Sequence, residues 1–131
     1  MFNKTTDNLL NLVGRLLLAA LFLPAGLQKI SGYAGTQGYM EAMGVPGGLL
    51  PLVILLEIGG GIALIIGFKV RWTALALAGF CAVSAFIFHY QPDDQMQMIL
   101  FMKNIALAGS FLVLASAGAG KFSLDNKLAT A

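Results

Sequence analysis

The chain has 131 residues, of which 58% are hydrophobic and 11% are charged. This apolar content exceeds what a small soluble core can bury, so it excludes an ordinary soluble domain and indicates lipid as the solvent. The net charge of +2 is spread without a basic stripe, and we therefore predict no nucleic-acid partner. Because Cys81 is the only cysteine, dithiol chemistry within the chain is also excluded.

Four apolar stretches are long enough to cross a hydrocarbon core ~30 Å thick as α-helices. We predict these membrane spans at residues 9–30, 49–67, 72–89 and 96–117. The sequence thus predicts an all-α integral membrane four-helix bundle that occupies residues 1–131 as a single domain. The first stretch has no A-x-A cleavage site and further spans follow it, so we interpret it as a retained helix and not as a signal peptide.

Small residues inside the spans predict close contacts between helices. Gly59, Gly60 and Gly61 are consecutive in the second span, and small residues let helix backbones approach each other in lipid. Between the first two spans, residues 31–48 are long enough to form a short extra helix. In that segment Thr36 is the predicted cap, and Gly44 is a predicted end signal.

The basic residues predict how the bundle is oriented in the membrane. One side would hold most of them, namely Lys4, Lys69, Arg71, Lys121 and Lys127. The positive-inside rule then places both termini in the cytoplasm and residues 31–48 in the periplasm. An even number of spans agrees with this orientation.

Ionisable residues at membrane depth are the candidate functional residues, because a charge there costs ~2.5–3.5 kcal/mol and usually faces a partner or a site. The candidates for a ligand-binding or polar site are Arg15, Lys29, Glu57, His89, Lys103 and Asn104. Glu57 and Lys103 are predicted at similar depths, and an ion pair between them is the strongest contact prediction. Arg15 is predicted to reach headgroups, Asp125 or Glu57, whereas Lys29 is predicted to anchor its helix at the interface.

The excess of cations over the single intramembrane anion favours an anionic or carbonyl-bearing ligand. A quinone headgroup in a pocket walled by Phe86, Phe88 and Phe101 would fit this chemistry. The catalytic residues are unknown, since the sequence contains no Ser-His-Asp set and no phosphate loop. Zinc-ligand spacing is also absent, so no metal site is predicted.

Several short motifs, distributed over nearly the whole chain, point to a known family. They are G-R at 14–15, F-L-P-A-G-L-Q-K-I at 22–30, G-Y-A-G-T-Q at 32–37, Y-M-E-A-M-G-V-P at 39–46, L-E-I-G-G-G at 56–61, L-I-I-G-F-K-V-R at 64–71, F-x-F-H at 86–89, F-M-K-N at 101–104 and G-A-G-K-F-S-L-D at 118–125. Together they resemble the DoxX family of small bacterial inner-membrane proteins, most closely its YqjF-type members. The resemblance implies a four-helix inner-membrane protein whose wider family includes DoxD-type subunits of a thiosulfate:quinone oxidoreductase.

Two functions remain open from the sequence. The first is a quinone-linked or redox-associated membrane component in which Lys103 or His89 contacts the headgroup and Glu57 moves protons. Any electron transfer would then need a separate cofactor or partner, because the chain supplies no redox group of its own. The alternative is a non-catalytic accessory subunit of a larger membrane complex, such as a respiratory complex, or a homo-oligomer. A transporter is a third, less favoured hypothesis, because four helices line only a narrow passage and no inverted repeat is visible.

Overall fold

A computed structural model describes residues 3–130, and that part of the chain forms helices without any strand. Four helical segments are long and apolar enough to cross a membrane. These are α1 (Lys4–Ser31), α3 (Leu50–Ile66, preceded by a 3₁₀ turn at Gly47–Leu49), α4 (Val70–Ser84, continued by a π-helical turn at Ala85–His89) and α5 (Gln95–Ala117). Two short helices are α2 (Tyr33–Ala42) and α6 (Leu124–Ala129). The predicted all-α four-helix bundle with an extra helix in its first long connection is therefore confirmed.

The helix boundaries differ from the predicted ones where polar residues cap a helix. The Asn3 side chain accepts a hydrogen bond from the Thr6 backbone N–H at 2.8 Å, so α1 begins at Lys4, five residues before the predicted span. The predicted Thr36 cap is wrong, because α2 begins at Tyr33 and the Thr36 hydroxyl donates back to the Gly32 carbonyl at 3.0 Å. Glycine at position 44, with φ of 82°, follows the end of α2 as expected.

The bundle is built from two closely packed pairs of helices. Helix α1 packs mainly on α3, and α4 packs mainly on α5, while contacts between α3 and α4 join the pairs. A Cβ added at Gly60 would lie 3.2 Å from Leu77 of α4, and one at Gly61 would lie 3.2 Å from Leu23 of α1. Close packing is confirmed at these two glycines. Gly59 has nothing within 4 Å of that position and is exposed.

The two ends of the described chain meet at one end of the bundle. The Asn8 side chain accepts a hydrogen bond from the Lys121 backbone N–H, and the Asn11 side-chain amide donates to the Gly118 carbonyl, both at 2.8 Å. We call this the terminal end and the opposite one the α2 end. The cytoplasmic orientation of the terminal end remains a prediction. The single-domain extent of the chain also remains a prediction, and residues 1, 2 and 131 lie outside the described part.

Candidate functional site: a polar cavity at the α2 end

A cavity of about 480 Å³ lies within the half of the bundle that faces α2. All four spans and α2 contribute to its wall. The polar or ionisable residues that line it are Lys29, Thr36, Tyr39, Glu57, Cys81, Ser84, His89, Lys103 and Asn104. Five of the six residues proposed from the sequence therefore share one cavity, and Arg15 does not line it.

An ion pair between Lys29 and Glu57 is the main charged contact of this cavity. The Lys29 Nζ lies 2.9 Å from the Glu57 Oε1, and the two side chains are 29% and 5% exposed. The Glu57 Oε1 is buried, and the Lys29 ammonium is its charged partner within the described chain. The predicted pair between Glu57 and Lys103 is wrong, and so is the reading of Lys29 as only an interfacial anchor.

The choice of partner follows from helix packing. Gly26 lies one turn before Lys29, and a Cβ there would come within 2.6 Å of Ile58 and 3.2 Å of the Glu57 Cβ. This close approach of α1 to α3 brings the Lys29 side chain to the carboxylate. Lys103 belongs to α5, which packs mainly on α4, so equal depth in the membrane did not make it the nearest cation.

Helices α4 and α5 contribute the other polar groups of the cavity. The Asn104 side-chain amide donates to the Ser84 hydroxyl at 3.3 Å and so links α5 to α4. Ser84 in turn donates to the Cys81 carbonyl at 3.2 Å. Lys103 lines the same cavity and forms no ion pair with the described carboxylates. Its ammonium group therefore has no anionic partner among residues 3–130.

The π-helical turn at the end of α4 forms part of the cavity wall and contacts α2. Its last residue, His89, has Nδ1 2.8 Å from the side-chain oxygen of Gln97. Phe88 stacks on Tyr39 of α2 with ring centroids 5.4 Å apart. Single π-helical turns occur frequently at functional sites because they redirect side chains that a regular helix would turn away.

The aromatic wall differs from the predicted one. Phe88 lines the cavity, but Phe86 and Phe101 do not. These two rings instead contact each other edge to face, with ring centroids 5.0 Å apart, and both contact Tyr90. The π-helical turn explains the difference, because it alters the regular angular spacing of residues 85–89.

Arg15 belongs to the terminal end, where it is fully buried. Its Nη1 donates to the Leu64 carbonyl and its Nε to the Asn11 side chain, at 2.8 and 2.9 Å, and Nη2 donates to the Phe122 carbonyl. The predicted reach to headgroups or to Glu57 is therefore wrong, and Asp125 acts on Arg15 through its charge without a direct ion pair. Arg15 instead satisfies backbone carbonyls and joins α1 to the end of α3 and to the segment before α6.

Other polar residues of the terminal end also cap helices of the bundle. The Asp125 carboxylate accepts hydrogen bonds from the backbone N–H groups of Lys69 and Val70, at 2.6 and 2.9 Å, and so caps the start of α4. The Arg71 guanidinium donates to the carbonyls of Ala115 and Ser116 at the end of α5. These contacts satisfy orphan groups at helix ends, whereas the polar groups of the α2 end face a cavity between the spans.

Sequence reasoning missed several residues of the cavity wall. Tyr39, Cys81 and Ser84 line it, although none carries a charge that would mark it in the sequence. Ser84 and His89 follow Cys81 by three and eight residues, about one and two turns, and this spacing is the signal that could have placed all three on one side of α4.

The fold and the cavity define a small four-helix membrane protein with a polar, ligand-sized site between its spans. The sequence profile of the DoxX family matches residues 10–90. The chain is 55% identical to inner membrane protein YqjF of Escherichia coli (strain K12) over 117 residues, which covers 89% of this chain and 90% of that protein. It is 33% identical to inner membrane protein YphA of the same organism over 123 residues, with 88% of each chain covered.

The chain belongs to the DoxX family. Its inner-membrane relatives and its four apolar helices support a multi-pass protein of the bacterial inner membrane. No solved structure matches it.

Proposed function

We propose that this DoxX-family protein binds a lipid-soluble small molecule with a carbonyl-bearing headgroup in the α2-end cavity. A quinone is the chemical class that fits best. The observation that carries the proposal is that Glu57, Lys29 and Lys103 all line one cavity of about 480 Å³. This volume lies within the ~300–1,000 Å³ typical of small-molecule sites.

The charged groups suit the two ends of a hydrogen-bonding headgroup. An ammonium such as that of Lys103 offers donors to a carbonyl oxygen, and no described carboxylate pairs with it. The Glu57 carboxylate is buried and pairs with the Lys29 ammonium, and its remaining acceptor positions suit a ligand hydroxyl of the kind that a reduced quinone presents. Asn104 adds a neutral polar group between them on the wall of the cavity.

The remaining wall suits an apolar ring and tail. Residues from each of the four spans contribute apolar side chains, among them Leu21, Val53, Phe80 and Leu107. Such a mixture of apolar wall and a few polar groups is typical of sites that bind small amphipathic molecules. The proposal concerns binding, since an electron donor or acceptor would have to come from a partner.

The test is native mass spectrometry of the protein after mild detergent extraction, with and without added ubiquinone analogue. We expect one bound quinone per chain in the parent and at least a tenfold loss of occupancy in Glu57→Gln and in Lys103→Met. Glu41→Gln is the matched control, because Glu41 is an exposed carboxylate on α2 that does not line the cavity. Equal occupancy in Glu57→Gln and Glu41→Gln would refute the proposal, as would a parent protein that takes up no quinone.

A second candidate function is that of an accessory subunit or homo-oligomer. Small residues on the exposed surfaces of α4 and α5 favour it, because such surfaces permit close helix contacts in lipid. They are Ala76, Gly79, Ala106, Gly109 and Ser110. A Cβ added at Gly109 meets nothing within 4 Å, so a larger side chain there fits the single bundle but would obstruct a helix packed on it from outside.

Light scattering of the detergent-solubilised protein tests this second candidate. We expect Gly109→Leu to dissociate an oligomer that uses this surface. Gly59→Leu is the control, because Gly59 is also exposed with nothing near its Cβ position but lies on α3. A parent protein that is monomeric and purifies without a protein partner would contradict the accessory function.

A further inference from the structure

The terminal end carries a second concave surface that is separate from the α2-end cavity. It is an open groove of about 880 Å³ between the start of α1, the turn from α3 to α4, and the segment that follows α5. Four basic residues line it, namely Lys4, Lys69, Arg71 and Lys121, and we call this surface the basic groove. The capping contacts described above do not account for its three lysine side chains.

The positive charge of the basic groove is only partly offset by the described protein, through the Asp125 carboxylate and a contact of the Lys69 Nζ with the Phe68 ring, 5.6 Å from its centroid. Asp125 is the acidic residue on its wall, and both carboxylate oxygens already accept hydrogen bonds from the backbone N–H groups of Lys69 and Val70. In residues 3–130, no carboxylate lies within 4.0 Å of a charged nitrogen of the four basic residues. A group of only partly compensated cations of this kind attracts an anion.

The position of the groove indicates that this anion belongs to a lipid. The groove lies where α1 and α4 begin and α5 ends, which is the level of the headgroups for helices that span a bilayer. Trp72 lies on its wall and is 74% exposed, and tryptophan prefers the interface between headgroups and hydrocarbon. This interfacial indole favours a lipid over a soluble anion as the ligand of the groove.

The backbone at Lys69 supports a role for its side chain. This residue has φ of 46°, and it is the only residue other than glycine with positive φ among those described. Glycine or asparagine would adopt this conformation at lower cost. A lysine here therefore places a cation on the groove in spite of an unfavourable backbone conformation.

We propose that the basic groove binds the phosphate headgroup of an anionic phospholipid such as phosphatidylglycerol. Lys4, Lys69 and Lys121 would contact the phosphate, while Trp72 lies against the glycerol and upper acyl region. Arg71 adds positive charge but is held by the carbonyls of Ala115 and Ser116. The inference is independent of the proposed quinone site, because the two cavities share no lining residue.

The single tryptophan of the chain provides a direct test. The protein is reconstituted in phosphatidylcholine vesicles that contain a minor fraction of brominated phosphatidylglycerol, and quenching of Trp72 fluorescence reports which lipid lies beside it. We expect phosphatidylglycerol to be enriched at Trp72 at least fivefold over its bulk fraction. The double variant Lys69→Gln/Lys121→Gln should lose most of this enrichment. Each lysine near an anionic headgroup contributes about a fivefold increase in affinity for the lipid.

Lys127→Gln is the matched control, because Lys127 is an exposed lysine of α6 that does not line the groove. It should retain the enrichment of the parent, and circular dichroism should show the same helix content in all variants. Equal enrichment in the parent and the double variant would overturn the proposal. So would a parent protein that shows no enrichment of phosphatidylglycerol but has its unfolding temperature raised by inorganic phosphate and not by chloride of equal ionic strength, since the groove would then bind a soluble phosphate.

Discussion

The two ends of the bundle use buried polar residues in different ways. At the terminal end, Arg15 is fully buried and donates to two backbone carbonyls and to Asn11. At the α2 end, Glu57 is nearly as buried, but its partner is the Lys29 side chain, which is itself partly exposed. The buried charge of the terminal end is thus satisfied within the protein, whereas that of the α2 end lines a cavity between the spans.

This difference shows that a charge at membrane depth does not by itself identify a binding site. Both ends contain such charges, yet only the α2 end combines them with a cavity between the spans. What separates the two cases is whether the hydrogen-bonding capacity of the group is used within the protein. Substitutions at the terminal end should therefore change stability, and those at the α2 end should change ligand binding more than stability.

The largest effect should come from Arg15→Met. This change leaves the Leu64 and Phe122 carbonyls without their donor and removes the link between α1 and the segment before α6. We expect the free energy of unfolding to fall by about 3–5 kcal/mol, measured by titration with denaturing detergent. Lys103→Met is the matched control, because it also replaces a cationic side chain of a span with methionine. A similar loss of unfolding free energy in both variants would contradict the distinction between the two ends.

Gly67→Ala should have the next largest effect. Gly67 has φ of 75°, and an added Cβ would overlap Ser123 and come within 2.6 Å of the Arg15 Nη1. We expect a loss of about 2–3 kcal/mol in the same unfolding measurement. Gly44→Ala provides the comparison, because Gly44 has φ of 82° with nothing within 4 Å of its Cβ position. If both variants lose the same stability, strain alone and not packing at the terminal end explains the effect.

The Lys29–Glu57 pair should contribute less. A double-mutant cycle with Lys29→Met and Glu57→Gln should give a coupling energy of about 1 kcal/mol, as is usual for polar contacts between membrane helices. The same cycle with Lys103→Met and Glu57→Gln should give a coupling near zero, since the structure pairs Glu57 with Lys29. A larger coupling to Lys103 would restore the contact predicted from the sequence.

The smallest effect on stability should be that of Lys103→Met alone. Lys103 is exposed and has no ion-pair partner among residues 3–130. We expect the free energy of unfolding to change by no more than about 0.5 kcal/mol. A loss above about 2 kcal/mol in unfolding titrations without ligand would show that Lys103 has a structural partner.

The sequence predicted the spans well, because a bilayer requires continuous apolar stretches of a certain length and these can be seen directly in the sequence. It failed on the partner of Glu57, because depth along a helix can be counted but the choice of neighbouring helix depends on packing. Gly26 carried that information, since its lack of a side chain lets α1 approach α3. Arg15 was misread for a related reason, as its carbonyl partners belong to the backbone and leave no mark in the sequence.

The most direct test of the account is the shift in unfolding temperature that a ubiquinone analogue produces in three proteins: the parent, Asp125→Asn and Glu57→Gln. Asp125→Asn weakens the cap of α4 at the terminal end and should lower the unfolding temperature without ligand, yet keep the full ligand-induced shift. Glu57→Gln should lose most of that shift. A shift that is absent from the parent, or that is unchanged in Glu57→Gln, would contradict a ligand site at the α2 end.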